Sequence, residues 1–337
     1  MLRVERTLPW SWYFDPEILR REQDAIFRRT WQYMGHVGQV AEPGSYFAGR
    51  ASDVPVVVTR ARDGELRAFL NVCRHRGSVL AEGEGARETL QCPYHAWTYG
   101  LDGALRSAPR ADETVAREEL GLLALRVETW GPFVFVNPSG EGASLAETLG
   151  ELRDVLVFDG LEFHHRVEYV LESNWKVACE NYLECYHCAV AHPGFSAVVD
   201  VSPGEYVLRR HRWHSSQLLH ARGNGARGEF HFLWPNLKVN VYPGRPNLSI
   251  GPVWPEGPER SRGFLDYFFA PGEDETWIRD LLSLDDQVGR EDAALVERVQ
   301  RGVRSGVLTD GHLLGESEQL IAHFDALVRE ALSEEAS

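Results

Sequence analysis

The stretch Cys73–His95, CRHRGSVLAEGEGARETLQCPYH, holds two cysteines and two histidines in the pairs C-x-H and C-x-x-H, with sixteen residues between them. Four metal donors in so short a span constrain the chain more than any other feature. They call for two loops, each offering one sulfur and one nitrogen. Structural zinc accepts such a set, but its ligands usually pair two to four residues apart, and the first pair here has one intervening residue. A two-iron, two-sulfide cluster with thiolates on one iron and imidazoles on the other takes one Cys and one His from each loop. Cys73, His75, Cys92 and His95 meet that requirement. Two neutral imidazoles in place of thiolates raise the reduction potential well above that of all-cysteine clusters.

The surrounding pattern predicts a β scaffold for these loops. Short apolar, β-branched runs at 54–58, 66–72, 98–105 and 133–137 are separated by the turn pairs Asp63-Gly64, Asp102-Gly103 and Gly131-Pro132. Ahead of them, residues 13–34 read as an amphipathic helix with Asp15 as N-cap and Pro16 at its first position. Beyond a linker at 138–150 come a strand at 165–172 and a helix over 173–190 with Ser173 as N-cap. Several aromatic-rich strands fill 205–270, and helices over 274–304 and 315–333 close the chain. The expected class is α+β, with an N-terminal helical segment (1–36), a small all-β domain (37–145) and a larger mixed domain (146–337).

A second set of donors lies in the larger domain. His187 and His192 are five residues apart, about 140° on an ideal helix. Pro193 biases His192 away from helical geometry, so the two rings can turn toward each other. Two histidines and one carboxylate on a face make a non-haem iron site. Asp292 is the first candidate acid, because it shares a helix face with Leu295, Val296 and Val299, where an acid is costly unless paired or metal-bound. Asp285, one heptad earlier, is the fallback; Glu291 and Glu297 fall toward solvent. Asn181 reads equally as a pocket residue or a hydrogen-bonded helix residue. Cys185 and Cys188 form C-x-x-C around His187 and read either as a zinc or redox pair or as small core residues, and Cys179 as core.

CRHRG and CPYHAWTYG are similar to the Rieske motif. NWKVACENYLECYHCAVAHP, followed about a hundred residues later by the EDAALVERVQ helix, resembles the catalytic domain of Rieske non-haem iron oxygenases, large-subunit type. The resemblance runs over nearly the whole chain. It implies a helix-grip catalytic domain, a Rieske 2Fe-2S cluster on Cys73, His75, Cys92 and His95, and a mononuclear Fe(II) on His187, His192 and Asp292. It also implies that Glu184 bridges His187 to a Rieske histidine (His75 or His95) of the neighbouring subunit in a homotrimer. The family more often has Asp there; Glu resembles the branch acting on quaternary ammonium compounds. Electrons would come from a separate NAD(P)H-dependent reductase, with or without a ferredoxin. O2 and a small organic substrate, aromatic or quaternary ammonium, would meet at the iron, where the substrate is hydroxylated or demethylated.

Bulk properties fit this picture. A formal net charge of −15 argues against nucleic acid as partner. Five cysteines, odd in number and clustered with histidines, do not make a secreted disulfide framework. No apolar run approaches the ~20 residues of a membrane span, and the start MLRVERTLPWSWYF has no signal-peptide core. A reducing, cytoplasmic setting is expected. Gly223, Gly225 and Gly228 spell a dinucleotide fingerprint, but no βαβ pattern surrounds them, so 221–228 reads as a mobile loop. Trp213, Phe230, Phe232, Trp234, Tyr242 and Trp254 are available to line a substrate pocket, with His231 and the 215–230 loop nearby. Arg209, Arg210 and Arg212 form either a carboxylate clamp or a solvated charge run. Two other readings stay open: an electron carrier without oxygenase activity, and a zinc-stapled binding protein.

Overall fold

Asp15 caps the first helix as its sequence suggests. Its carboxylate accepts from the Glu17 backbone N–H at 2.8 Å, and Pro16 opens α1 (Pro16–Glu22). The helix predicted over 13–34 is shorter than expected. It ends in a π-type turn (Gln23–Phe27), and Gln32–His36 is a strand paired with Phe133–Asn137. Sheet pairing and burial override local helix propensity there. The computed structural model describes residues 5–111, 116–202, 204–223 and 225–334. The first four residues of the N-terminal stretch and Asn224 of the glycine-rich segment lie outside the described residues. The chain forms two units: Phe27–Thr148, and Met1–Ile26 with Leu149–Ser337.

The smaller unit is all β. A seven-stranded antiparallel sheet runs in the order Gln32–His36, Phe133–Asn137, Ala124–Trp130, Leu66–Leu70, Val54–Arg60, Ser45–Ala51, Glu84–Ala86. A three-stranded meander (Thr89–Gln91, Thr98–Gly100, Leu105–Ser107) stands beside it. The run 98–105, expected as one strand, is a hairpin turned at Asp102-Gly103. Gly103 has φ +83°, and a Cβ there would lie 2.4 Å from the Phe69 ring, so the turn admits no side chain. One apolar cluster, with Tyr46, Val57, Phe69, Leu90, Tyr99 and Leu105, continues without a break into Cys73 and Cys92. The cysteines are therefore anchored in core, where each large side chain contributes about 1.5–3 kcal/mol by burial.

The larger unit is a seven-stranded antiparallel sheet wrapped around helices. Its order is Glu162–Leu171, Arg260–Phe269, Asn247–Gly257, Leu237–Val241, Arg227–Leu233, His214–His220, Val207–Arg210. The expected helix over 173–190 is broken. Asn174, not Ser173, caps α2 (Trp175–Tyr182) by accepting from the Lys176 N–H at 2.9 Å, and the chain leaves helical geometry after Tyr182. Short turns Cys188–Ala191 and Pro193–Val198 follow. The long helix α3 (Glu275–Val303) starts at Asp274, whose side chain accepts from the Thr276 and Trp277 N–H groups. The last helix is α4 (Gln319–Glu334). Lys176 and Glu22, both fully buried, pair with each other. Glu22 also accepts from the Trp175 indole, and the Lys176 ammonium donates to the Trp12 carbonyl at 2.9 Å, locking the N-terminal segment onto α2. The described residues of the glycine-rich segment connect two strands that pair antiparallel. Gly228 is inside a strand, where a Cβ would press on Leu219 and Pro243 at 2.7 Å. No helix among the described residues is long and apolar enough to cross a membrane.

Candidate metal centres

The two loops of the smaller unit are built alike. The Cys73 N–H donates to the Ser78 carbonyl and the Cys73 carbonyl accepts from Gly77. The Cys92 N–H donates to the Trp97 carbonyl and the Cys92 carbonyl accepts from Ala96. The matching fourth residue turns left-handed in both, Gly77 at φ +76° and Ala96 at φ +59°. Each loop thus holds its cysteine inward and leaves its histidine outside. Cys73 and Cys92 are buried; His75 and His95 are exposed, with ring centroids 4.8 Å apart. Trp97 stacks on His75 at 4.9 Å and Tyr94 on His95 at 4.0 Å. The Tyr99 hydroxyl accepts from the Arg74 N–H at 3.0 Å and touches Cys73 Sγ at 3.4 Å. Burial pushes the Cys92 thiol up, but hydrogen bonds from the Tyr94 and His95 backbone outweigh it and hold the group below its usual value. A thiolate pair inside and an imidazole pair outside suit two irons in one cluster. A single zinc ion needs all four donors around one point, and among the described residues the group that converges in that way is a different one.

That group is His187, His192 and Asp292, whose donor atoms all lie within 4.8 Å of one another. The Nε2 atoms of the two histidines are 3.0 Å apart. Asp292 Oδ1 is 3.0 Å from His192 Nε2 and 3.5 Å from His187 Nε2. The break after Tyr182 and the turn at Pro193 bring the two rings together, and α3 delivers the acid from a hundred residues away. The other ring nitrogen of each histidine meets a carboxylate: His187 Nδ1 bonds Glu184, and His192 Nδ1 lies 2.8 Å from Glu291 Oε2. Such outer carboxylates fix the tautomer and orientation of metal-bound imidazoles. Glu184 also accepts from the Tyr186 and His187 N–H groups, and Gln287 donates to Glu291 at 2.9 Å. Asn181 donates to Asp292 Oδ1 at 2.7 Å and lines the cavity beside the donors. In this cage of acids His187 is lifted to about 9. Burial opposes the shift, but Asp292 and Glu184 outweigh it; His192 is raised for the same kind of reason. Burial raises the Asp292 carboxyl, yet hydrogen bonds from His187, His192 and Asn181 hold it well below the usual range. Three donors on one side, each braced from behind, suit a single divalent iron with open positions opposite.

Several expectations change. Asp285 is not part of the donor set; its two oxygens accept from the Tyr242 and Tyr267 hydroxyls. Glu291, expected in solvent, sits behind His192. Cys185 and Cys188 are neither a zinc pair nor two separate core thiols: they are joined as a disulfide around His187. His231 is buried away from the iron donors, against Ser216 at 2.8 Å and Glu229 at 3.1 Å. Of the six proposed pocket aromatics, Phe230 and Tyr242 line the cavity at the donor set. Phe232 and Trp234 pack on Phe324, Trp213 lines a small separate cavity beside them, and Trp254 packs on Phe264. Tyr182, Phe195 and Tyr206 complete the cavity wall and were not singled out. Arg209 and Arg210 are exposed on an edge strand and line neither of the two cavities next to the donor set.

The cavity beside the donor set measures about 120 Å³ and abuts one of about 500 Å³. Asn181, Tyr182, Lys238, Leu265, Asp285 and Asp292 belong to both walls.

Known proteins share this arrangement. The model of the Rieske [2Fe-2S] domain matches residues 30–129, and that of the ring-hydroxylating alpha subunit catalytic domain matches 158–229 and 210–334. The chain is 34% identical to the chloroplastic choline monooxygenase of Amaranthus tricolor, over 97% of this chain and 78% of that protein. It is also 34% identical to the carnitine monooxygenase oxygenase subunit of Acinetobacter pittii, over 96% of this chain and 94% of that one. A crystal structure of the quaternary ammonium Rieske monooxygenase CntA with an inhibitor superposes with a TM-score of 0.90 at 32% identity, covering 97% and 96% of the two chains. Two matched domains, in the order in which the chain presents its two donor sets, place it among the Rieske non-haem iron oxygenases: it is an alpha-type oxygenase subunit, an enzyme with a Rieske 2Fe-2S cluster and a mononuclear Fe(II).

Proposed function

We propose that this oxygenase hydroxylates a quaternary ammonium compound, with loss of an N-substituent where the hydroxylated carbon is bound to nitrogen. The observation that carries this is the cavity wall. Tyr182, Phe195, Tyr206, Phe230 and Tyr242 surround the space next to His187, His192 and Asp292, and the Asp285 carboxylate is held among them. Aromatic faces attract a desolvated cation, by about 2 kcal/mol or more in favourable cases, and a fixed carboxylate adds to that field. A flat hydrocarbon would gain nothing from Asp285. The choline and carnitine monooxygenases among its relatives support the same choice. Calorimetric titration of the iron-loaded protein with choline, γ-butyrobetaine and naphthalene tests it. Binding of the cations and not of naphthalene is expected; the reverse would sink the reading.

The geometry supports the following residue roles. Cys73 and Cys92 would hold one iron of the cluster, and His75 and His95 the other. His187, His192 and Asp292 would hold the mononuclear iron. When bound, the cluster supplies single electrons and the iron supplies O2 activation. The chain's own residues do the rest. Glu184 and Glu291 hold the imidazoles with Nε2 facing inward, and Asn181 holds Asp292 in place. The aromatic wall excludes water and orients the cation. Glu184, bonded to His187, is also the link to an exposed His75 or His95 of a neighbouring subunit in a homotrimer, a reading supported by the inter-subunit electron transfer reported for a relative. Electrons reach the cluster from a separate NAD(P)H-dependent reductase, with or without a ferredoxin, in a cytoplasmic setting. Two-component reconstitution would show NADH oxidation that depends on both the substrate and the second protein.

A further inference from the structure

Lys238 stands on the central strand Leu237–Val241, opposite Phe232 on one side and Gly251 on the other. Gly251 lies so close to the next strand that a Cβ there would overlap the Phe264 carbonyl, so no side chain can stand beside Lys238 at that position. The ammonium faces the cavities: Lys238 belongs to the wall of both, at the place where they meet. Its Nζ sits over the faces of Tyr169 and Tyr182, at 4.9 and 5.7 Å from the ring centroids. Asp285, which shares both cavity walls with Lys238, has given both oxygens to tyrosine hydroxyls, and no carboxylate among the described residues is within ion-pair distance of Lys238. The other cation on the larger cavity's wall, Arg290, is paired with Asp286. An ammonium drawn out of water and given only phenol ring faces is left short of an anion. The cavity is where that anion can come from.

We propose that Lys238 is the carboxylate anchor of this cavity, so that the substrate is a betaine-type zwitterion with a cationic end in the aromatic cage and an acid end at the junction of the two cavities. This rests on the cavity being the substrate site. The smaller cavity holds the aromatic cage, Asp285 and the metal donors; Lys238 and Tyr169 extend the polar wall into the larger one. An amino alcohol would fill the cage and leave the ammonium unmatched. A site built around a charged partner discriminates strongly against an analogue that lacks it, because its own polar group is left unpaired.

The test is a calorimetric comparison on the anaerobic holoenzyme, with cluster and Fe(II) in place. The probes are γ-butyrobetaine and its methyl ester, and 4-phenylbutyrate and its methyl ester. The wild type is expected to bind γ-butyrobetaine at least 30-fold more tightly than the ester. Lys238→Met should bring the pair within threefold by weakening the acid alone, with cluster absorption and melting temperature retained. Arg209→Gln should leave the ratio unchanged. A wild-type ratio below three overturns the proposal whether or not the variant folds, as does an equal loss of acid and ester in Lys238→Met. If only the phenyl pair binds and its acid preference is lost in Lys238→Met, the anchor stands and the quaternary ammonium reading falls. If neither pair binds, the anchor falls, and the titration with choline then decides the quaternary ammonium reading by itself.

Discussion

The two metal centres are built by opposite means. The cluster loops are local structures: Cys73–Gly77 and Cys92–Ala96 repeat one hydrogen-bond pattern within a few residues, and the meander that carries the second loop needs only short-range pairing. The iron site is assembled from distant parts, with two histidines on a broken helix and an acid on α3. The cluster donors lean on backbone N–H groups and aromatic rings, whereas the iron donors lean on carboxylates. Local loops keep their shape with or without their neighbours; a site drawn from three segments depends on the packing that joins them.

The largest effect should come from Asp292→Ala. Wild-type protein should carry about three irons and two acid-labile sulfides per chain; the variant should lose one iron and no sulfide, with activity abolished. Loss of sulfide as well would mean that the centres are not independent. Glu291→Gln removes the charge behind His192 and should weaken mononuclear Fe(II) by about 10–100-fold, read by equilibrium dialysis, with sulfide unchanged. An unaltered affinity would reduce Glu291 to a bystander.

The iron site should also respond to pH. In the metal-free protein His187 is lifted from 6.5 to about 9. A raised folded value stabilises the metal-free fold below the unfolded value, and that stability is lost as pH rises through 9. Metal takes the neutral ring, so binding expels that proton below 9. Co(II) affinity should therefore climb between pH 6.5 and 8.5, by up to about tenfold per unit for one proton displaced, while the metal-free melting temperature declines. A flat Co(II) profile would show that the acids around His187 do not hold its proton. The smallest effect contrasts the two loops. Gly77→Ala puts a Cβ on a left-handed residue and should cost about 1–2 kcal/mol. Ala96→Gly relieves the same strain and should be neutral or slightly stabilising. Thermal melts of both variants measure the difference, and equal shifts would break the likeness of the loops.

Much of this was legible in advance where the signal is local. The Asp15–Pro16 start, the turns at Asp63-Gly64 and Asp102-Gly103 and the strand at Phe133–Asn137 follow from short-range chemistry. What depends on rotation and register did not read correctly. Val299, one heptad after Asp292, is half-exposed, while Gln300 is buried, donating to the Tyr13 carbonyl and accepting from the Asn174 N–H. The buried face of α3 drifts from a seven-residue repeat, as a 3.6-residue helix must. A face drawn from the apolar stripe alone therefore sent Glu291 to solvent. Strand aromatics were equally ambiguous. Which of Phe230, Trp234 and Trp254 meets the cavity depends on which side of the sheet each occupies and what covers it, and a one-residue register shift reverses that.

The amino-acid sequence by itself determined the kinds of donor atom and their grouping, two thiols with two imidazoles in one hundred-residue β unit and two imidazoles with an acid in the other. These choices are chemical and lie in short motifs. Only the tertiary structure decided which carboxylate stands behind which imidazole, that Asp285 serves two tyrosines, that Cys185 and Cys188 are joined, and that Lys238 looks into the cavity. Each of these depends on residues far apart in the chain meeting at a few ångströms, and side-chain reach over that distance is set by packing.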